Sequence, residues 1–502
     1  MLKSISGGAL ALALALVHDA SAAQKTRCER VLDRFGDRLA DATCVESPDL
    51  TTNNPNTTPQ NNSIAGLPAF AFTPQTDRGV ISPDALNKTP ITRAVPGVQI
   101  NARIASDPQG QARFLLRLPD DWNGRLVVAG ASGTRSEFNG DFAWSDYVIQ
   151  KGYAYASQNK GVLNLKLSTS SDPLACRLNP STPVYVHFYD NDPGQQFTRW
   201  AEFMAEAARL ARRGLQAHYG SGPDRTYAVG TSNGGYQVRR AVESFPELFD
   251  GGVDWEGTYV DAENPNILTD LPPAILNFPD YVASGFNPNS TAAKNLLGAG
   301  YPPDVLNGAS SMWLNYSNSF WEVTQCQWQK RLDPGYDTYG SGTGTYNYVA
   351  RRSQSDVAAQ LAAFATTGAI RRPLITVAGT MDALLPIDHH ARAYARRVAA
   401  AQARGDDGDG DGDDRRPAYR LYEVQNGNHI ETYKSPPQIA VPPPGTFPQL
   451  EFIQPHAQRA FDLLVQSVEH RASLPPSQCI PHGGSISAAP AQPGHCASQF
   501  VP

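Results

Sequence analysis

Apolar residues recur along this chain in two periods, and the switches between them outline its architecture. Val98-Gln99-Ile100-Asn101-Ala102-Arg103-Ile104 alternates apolar with polar, as does Ala112 to Leu118. Asp107-Pro108-Gln109-Gly110 lies between, so the pair predicts a hairpin. Short apolar runs at Arg125–Ala129, Tyr227–Val229 and Pro373–Ala378 predict buried strands, and Tyr153–Ser157, Phe249–Trp255 and Tyr419–Val424 read as further strands. Helical periodicity separates them, over Phe142–Lys151, Gln196–His218, Tyr236 to about Phe245, Asp356–Thr367, Pro386–Ala403 and Pro455–Arg471. Strands that alternate with helices predict the α/β class, a mostly parallel sheet with helices on both faces. A short amphipathic helix is expected near the N-terminus on Val31, Leu32, Phe35 and Leu39.

Two stretches break this rhythm. Thr51 to Ser63 is rich in Asn, Thr and Pro and reads as a surface linker. Gly257 to about Ser353 is rich in Asn, Pro, Gly and aromatic residues and reads as an inserted lid. Its aromatics either line a pocket or form the lid's own core. The expected organisation is a signal peptide at 1–23, an N-terminal extension and linker at 24–94, a first core part at 95–257 and the lid at 258–354. A second core part at 355–472 and a tail at 473–502 complete it.

Composition narrows the partners. The chain has 502 residues, 41% hydrophobic, with a net charge of −6. That gives no reason to expect nucleic acid or an anionic membrane as partner. Lys3, the apolar run Ala9–Val17 and the small residues Ala20-Ser21-Ala22 have the layout of a secretory signal peptide, so export to periplasm or medium is expected. No later stretch is long and apolar enough to span a membrane. Export gives meaning to the six cysteines, Cys28, Cys44, Cys176, Cys326, Cys479 and Cys496. They suggest three disulfides among fifteen possible pairings. Proximity favours Cys28–Cys44 and Cys479–Cys496, which leaves Cys176 and Cys326. Asp407, Asp409, Asp411 and Gly412 match the start of a calcium loop, but Ala418 stands where the bidentate glutamate belongs. That stretch reads as a solvated insertion, and no metal is expected.

The chemistry centres on Gly230-Thr231-Ser232-Asn233-Gly234, a G-x-S-x-G between a predicted strand and helix. Such a turn exposes a serine hydroxyl at a helix start, and glycine is needed where a side chain would strike strand or helix. Ser232 is the candidate nucleophile. The N–H of Asn233 would stabilise an oxyanion, with a second N–H from Gly133 or Thr134 in the small-residue loop after Arg125–Ala129. A serine nucleophile needs a base, and the base an orienting acid. Asp382 follows the strand Pro373–Ala378 and His429 follows Tyr419–Val424, where acid and base belong. Asp254 and Glu256, after Phe249–Trp255, are alternative acids. Asp388, His389 and His390 fall in the next predicted helix, where surface or capping roles suit them. His456 and His482 follow no predicted strand.

On these motifs, and on Phe245-Pro246-Glu247-Leu248-Phe249-Asp250-Gly251 after the serine, the chain resembles exported α/β hydrolases of the tannase and feruloyl esterase group. The resemblance spans about residues 95–260 and 365–470. The S-N-G-G turn also resembles that of 3-hydroxybutyrate oligomer hydrolases. Both imply the α/β-hydrolase fold and cofactor-free hydrolysis of small-molecule or oligomeric carboxylic esters through Ser232, Asp382 and His429. The chain departs from the first group in one respect. That group carries disulfide-linked cysteines beside serine and histidine, whereas Thr231 and Ile430 stand here. The rival readings are an exported serine peptidase of the same fold and a non-catalytic binding protein.

Overall fold

The computed structural model describes residues 25–57, 89–133, 136–189, 197–308, 310–336, 343–405, 417–429, 431–434 and 447–502. The expected signal peptide, most of the Asn/Thr/Pro tract, Thr134 and residues 406–414 of the acidic stretch lie outside them. Fifteen strands are found among the described residues. They are β1 (Leu39–Ser47), β2 (Gly97–Ile104), β3 (Arg113–Pro119), β4 (Arg125–Ala129), β5 (Ala154–Gln158), β6 (Leu163–Ser168), β7 (Cys176–Arg177) and β8 (Tyr185–Tyr189). β9 (Arg225–Thr231), β10 (Gly251–Trp255), β11 (Leu306–Asn307), β12 (Ser310–Ser311), β13 (Leu374–Gly379), β14 (Tyr419–Val424) and β15 (Gln478–Ile480) follow.

Ten of them form one sheet in the order β1-β2-β3-β5-β4-β9-β10-β13-β14-β15. β1 to β3 pair antiparallel and β3 meets β5 antiparallel; every pairing from β5 through β15 is parallel. This is the α/β-hydrolase fold. The expected hairpin is β2–β3, and the six further predicted strands are β4, β5, β9, β10, β13 and β14. Alternate residues of each strand feed opposite cores. Leu126, Val128 and Ala228 join a core with the helices Trp200–Tyr219, Asn233–Ser244 and Ala391–Arg404. Val127, Ala129 and Val229 join one with Trp144, Ile149 and Phe461, the last from the helix Gln454–His470. Both faces are covered, as a parallel sheet requires.

Several elements differ from the sequence expectation. The predicted helix over Phe142–Lys151 is one wide turn, Asp141–Ser145, followed by four helical residues, Asp146–Ile149. The N-terminal helix stops at Phe35, and Leu39 begins β1. β6, β7 and β8 form a separate three-stranded sheet that no local pattern announces. β15 draws the C-terminal tail into the main sheet beside β14.

The insertion between β10 and β13 carries a helix Ile267–Ala283 and a helix Glu322–Leu332. Tyr281, Trp313, Tyr316, Trp321, Trp328, Tyr346 and Tyr348 are buried in one cluster, which continues into Met381, Ala383, Leu384 and Leu385 of the main body. The aromatics thus form the insertion's own core. The cysteines pair as Cys28–Cys44, Cys176–Cys326 and Cys479–Cys496. The second bond joins β7 to the helix Glu322–Leu332.

Candidate functional site

Ser232 sits in the turn between β9 and the helix Asn233–Ser244, with φ 58° and ψ −123°. A serine rarely takes this backbone, and such strain concentrates at functional sites. The neighbouring structure holds it there. Ser232 N–H donates to the Trp255 carbonyl at 2.9 Å, and its own carbonyl accepts from Tyr236 N–H at 3.0 Å. The motif's glycines are needed for close approach. A Cβ on Gly230 would lie 2.4 Å from the Gly234 carbonyl oxygen, and one on Gly234 would lie 2.7 Å from the Gly130 carbonyl.

β9, β10, β13 and β14 are parallel neighbours, so the loops after them emerge along one edge. These loops carry Ser232, Glu256, Asp382 and His429 respectively. Asp382 Oδ2 lies 2.8 Å from His429 Nδ1. Asp382 Oδ1 accepts the N–H groups of Leu384 and Leu385 at 2.8 and 2.7 Å, which fixes the carboxylate from behind. Met381 N–H donates to the Gly427 carbonyl at 2.8 Å, binding the Asp382 loop to the His429 loop. The tail adds to this brace. Asn426 N–H and Thr380 Oγ1 both reach the Gln499 carbonyl, and Val501 N–H donates to Asn426 Oδ1 at 2.8 Å.

The two alternative acids behave differently. Asp254 is fully buried and engaged elsewhere. It accepts from Arg239 Nε at 2.6 Å, Thr376 Oγ1 at 2.8 Å and Gly257 N–H at 2.6 Å, and it is not brought to the imidazole. Glu256 is brought there. Its Oε2 lies 3.6 Å from His429 Nδ1, while Oε1 accepts Gly379 N–H at 2.9 Å. Glu256 Oε2 is buried without a hydrogen-bond partner among the described residues. Burial pushes the Glu256 carboxyl up, and the nearby Asp382 charge adds to the effect. At His429, burial acts to lower the pKa. The charge and hydrogen bond of Asp382 and the charges of Glu256 and Glu431 outweigh it, so the imidazole is raised.

Glu256, Asp382 and His429 are also the one group of three His, Cys, Asp or Glu side chains among the described residues close enough to enclose a cation. The ring nitrogen facing the carboxylates is already in hydrogen-bond contact with Asp382.

On the other side of the serine turn, Asn233 begins the helix, where the first N–H groups have no intrahelical partner. Thr258 Oγ1 donates to its side-chain oxygen at 2.8 Å. Gly133 is the last described residue of the loop after β4, and Thr134 lies outside the described residues. Along that loop the N–H groups of Gly130, Ala131 and Ser132 donate to the Val229 carbonyl, Gln237 Oε1 and Asn139 Oδ1. Gly133 N–H has no such partner among the described residues.

Sequence reasoning missed other contacts. Asp270 of the insertion lies 3.0 Å from His389 Nδ1 and 3.2 Å from His390 Nε2. His390 is buried, precedes rather than enters the helix Ala391–Arg404, and accepts Tyr259 N–H at 2.9 Å. His390 takes the N-cap position of that helix, in line with the capping role expected, and both histidines also link insertion to core rather than standing free on the surface. Trp321 Nε1 of the insertion donates to the Ala383 carbonyl at 2.7 Å, and the Tyr316 hydroxyl meets Asn428 Oδ1 at 2.5 Å. The insertion thus touches the neighbours of both Asp382 and His429. His482 does follow a sheet strand, β15, but its Nδ1 lies 2.9 Å from Glu451, away from this cluster. No helix among the described residues is long and apolar enough to cross a membrane.

Residues 335–497 match the 3HB-oligomer hydrolase (3HBOH) family. The D-(-)-3-hydroxybutyrate oligomer hydrolase of Burkholderia thailandensis is 32% identical over 126 residues, which span 24% of this chain and 15% of that protein. The Burkholderia mallei protein of the same name is 32% identical over 125 residues, again 15% of its length. Two solved structures are similar over most of the chain. Feruloyl esterase B from Aspergillus oryzae covers 87% of this chain and 88% of its own, with 15% identity and a TM-score of 0.47. Tannin acyl hydrolase from Aspergillus niger covers 89% and 88%, with 12% identity and a TM-score of 0.45.

Proposed function

We propose that this protein is an exported serine carboxylic ester hydrolase that works through an acyl-enzyme. The observation that carries the proposal is the His429–Asp382 pair on the same sheet edge as a serine strained into a strand-to-helix turn. In this reading His429 takes the proton of Ser232 as the hydroxyl attacks the ester carbonyl. Asp382 holds the imidazole in the tautomer that leaves its other nitrogen free to accept. The N–H groups of Asn233 and Gly133 hold the oxyanion. Water then releases the acyl group by the same route, and no cofactor is required.

For the substrate we propose short hydroxyalkanoate oligomers ahead of feruloyl or galloyl esters. The stretch that matches the 3HB-oligomer hydrolase family contains both Asp382 and His429. Three disulfides fit an oxidising compartment, which supports export.

The test is a panel of p-nitrophenyl butyrate, 3-hydroxybutyrate trimer, methyl ferulate and methyl gallate, run on wild type and Ser232→Ala. Turnover that falls by roughly 10⁴-fold or more in the folded variant supports the reading, and the preferred ester sets the substrate class. A variant that retains activity removes Ser232 from the mechanism. If no ester is turned over, an exported peptidase or a binding role takes precedence.

A further inference from the structure

The loop after β4 is gathered onto one side chain. Lys160 is 1% exposed and sits just past β5 with φ 63°. Its Nζ donates to three successive carbonyls, Ala131 at 2.7 Å, Ser132 at 3.0 Å and Gly133 at 2.9 Å. The backbone of Lys160 is itself set, because its N–H donates to Gln158 Oε1 at 2.6 Å. Gln158 in turn bonds Gln237 of the serine-bearing helix at 3.2 Å.

Peptide geometry turns this gathering into a direction. In a planar trans peptide the carbonyl of one residue and the N–H of the next point opposite ways. When Lys160 holds the Ala131 carbonyl, Ser132 N–H faces away from it, and Asn139 Oδ1 receives that N–H at 2.8 Å. When Lys160 holds the Ser132 carbonyl, Gly133 N–H faces away as well. That N–H is the first in the loop left open among the described residues. Free in solution, a Gly-containing loop samples both faces of such a peptide. A buried ammonium bonded to the carbonyl side removes one of them, and charged donors make the stronger hydrogen bonds.

We propose that Lys160 is a positioning residue for the oxyanion site: by holding the carbonyls of residues 131–133 it presents Gly133 N–H to the developing alkoxide. This rests on the ester-hydrolase reading above. The ammonium touches no reacting atom. Its effect is to orient the donor before the reaction, so that no reorganisation accompanies charge development.

Lys160→Met and Lys160→Gln test it, the second retaining a donor of similar reach. Kinetics on p-nitrophenyl butyrate and affinity for butylboronic acid, which forms a tetrahedral anion on the serine, are measured beside wild type. Lys160→Met is expected to lower kcat by about 10²-fold or more with KM within a few-fold, as for loss of an oxyanion donor. Boronate affinity should fall in parallel, and Lys160→Gln should recover part of both. A kcat within about threefold of wild type overturns the proposal. So does an equal loss in kcat, KM and thermal stability, which indicates a structural role alone.

A second measurement needs no variant. The ¹⁵N–¹H resonance of Gly133 in wild type should move downfield when butylboronic acid binds, and stay in place with butyrate. A resonance that ignores the boronate overturns the proposal even if the lysine variants do not fold. Failure of wild type to hydrolyse any ester would instead defeat the functional reading. Ser232-dependent turnover with a silent Lys160 defeats only the present inference.

Discussion

Replacing Asp382 by asparagine separates the two carboxylates that meet at His429. Distance alone does not choose between them. At an effective dielectric near 20, unit charges at the observed 2.8 and 3.6 Å from Nδ1 attract an imidazolium by about 6 and about 5 kcal/mol. The gap is about 1 kcal/mol. Ionisation separates them further, because burial holds Glu256 towards its neutral form near pH 7. Asp382 is also held in place, with two backbone N–H donors on Oδ1 behind it. In Asp382→Asn the amide oxygen can still accept from Leu384 and Leu385, so the loop should stay folded. Its NH₂ then faces Nδ1 and favours the tautomer with the proton on the serine side. That arrangement costs on the order of 10⁴-fold in kcat, about 5 kcal/mol. Glu256→Gln should cost less than about tenfold, because it replaces a largely neutral acid by a neutral amide. The assay is kcat on p-nitrophenyl butyrate at pH 7, with melting curves to show that both variants are folded. If Glu256→Gln costs as much as Asp382→Asn, the orienting acid is misassigned. If Asp382→Asn keeps a tenth of the activity, the pair is idle.

Asp254→Asn should leave the activity of each folded molecule intact but lower stability by about 3–5 kcal/mol, since it strands the buried Arg239 charge; urea unfolding and active-site titration together check this. Asp146 is buried and its carboxyl is raised to about 7 from 3.8, burial outweighing its hydrogen bonds from Thr52. A folded-state pKa above the unfolded one means stability that is whole at acid pH and lost as pH climbs through about 7. The span is at most about 4 kcal/mol. Urea melts at pH 5 and pH 8 should therefore differ more for wild type than for Asp146→Asn, and equal differences would exclude this group as the cause. Removing the Cys176–Cys326 bond, which closes a separation of 150 residues, should cost about 5 kcal/mol in the chain-entropy limit. Melting of the Cys176→Ala, Cys326→Ala double variant measures it.

The parts of the site that were legible in the sequence are those with a local signature. Ser232 is marked by glycines that backbone contact demands, and Asp382 and His429 each closely follow a predicted strand that became a sheet strand. The cysteine pairs close in sequence followed from proximity. What escaped depends on contacts distant in the chain. Lys160 lies in Asn159-Lys160-Gly161, an ordinary turn by composition, and its partners are about 30 residues away, 27 to 29 in number. β7 has two residues and β15 three, too few for a period of two to appear. Asp270 meets His389 and His390 across the insertion boundary, where no pattern in either segment points to the other.

The bond between Cys176 and Cys326 has a mechanical consequence. A segment attached to a body at its two chain ends can swing as a flap about the line through them. A third covalent point away from that line turns the flap into a roof. The insertion has a third covalent point, on β7 of the separate three-stranded sheet that shares its aromatic core, and Trp321 and Tyr316 fasten it further to the loops below. An insertion fastened in this way is not expected to open as a separate flap. Catalysis on a short-chain ester should accordingly show no jump when its concentration passes the solubility limit and an oil–water interface appears.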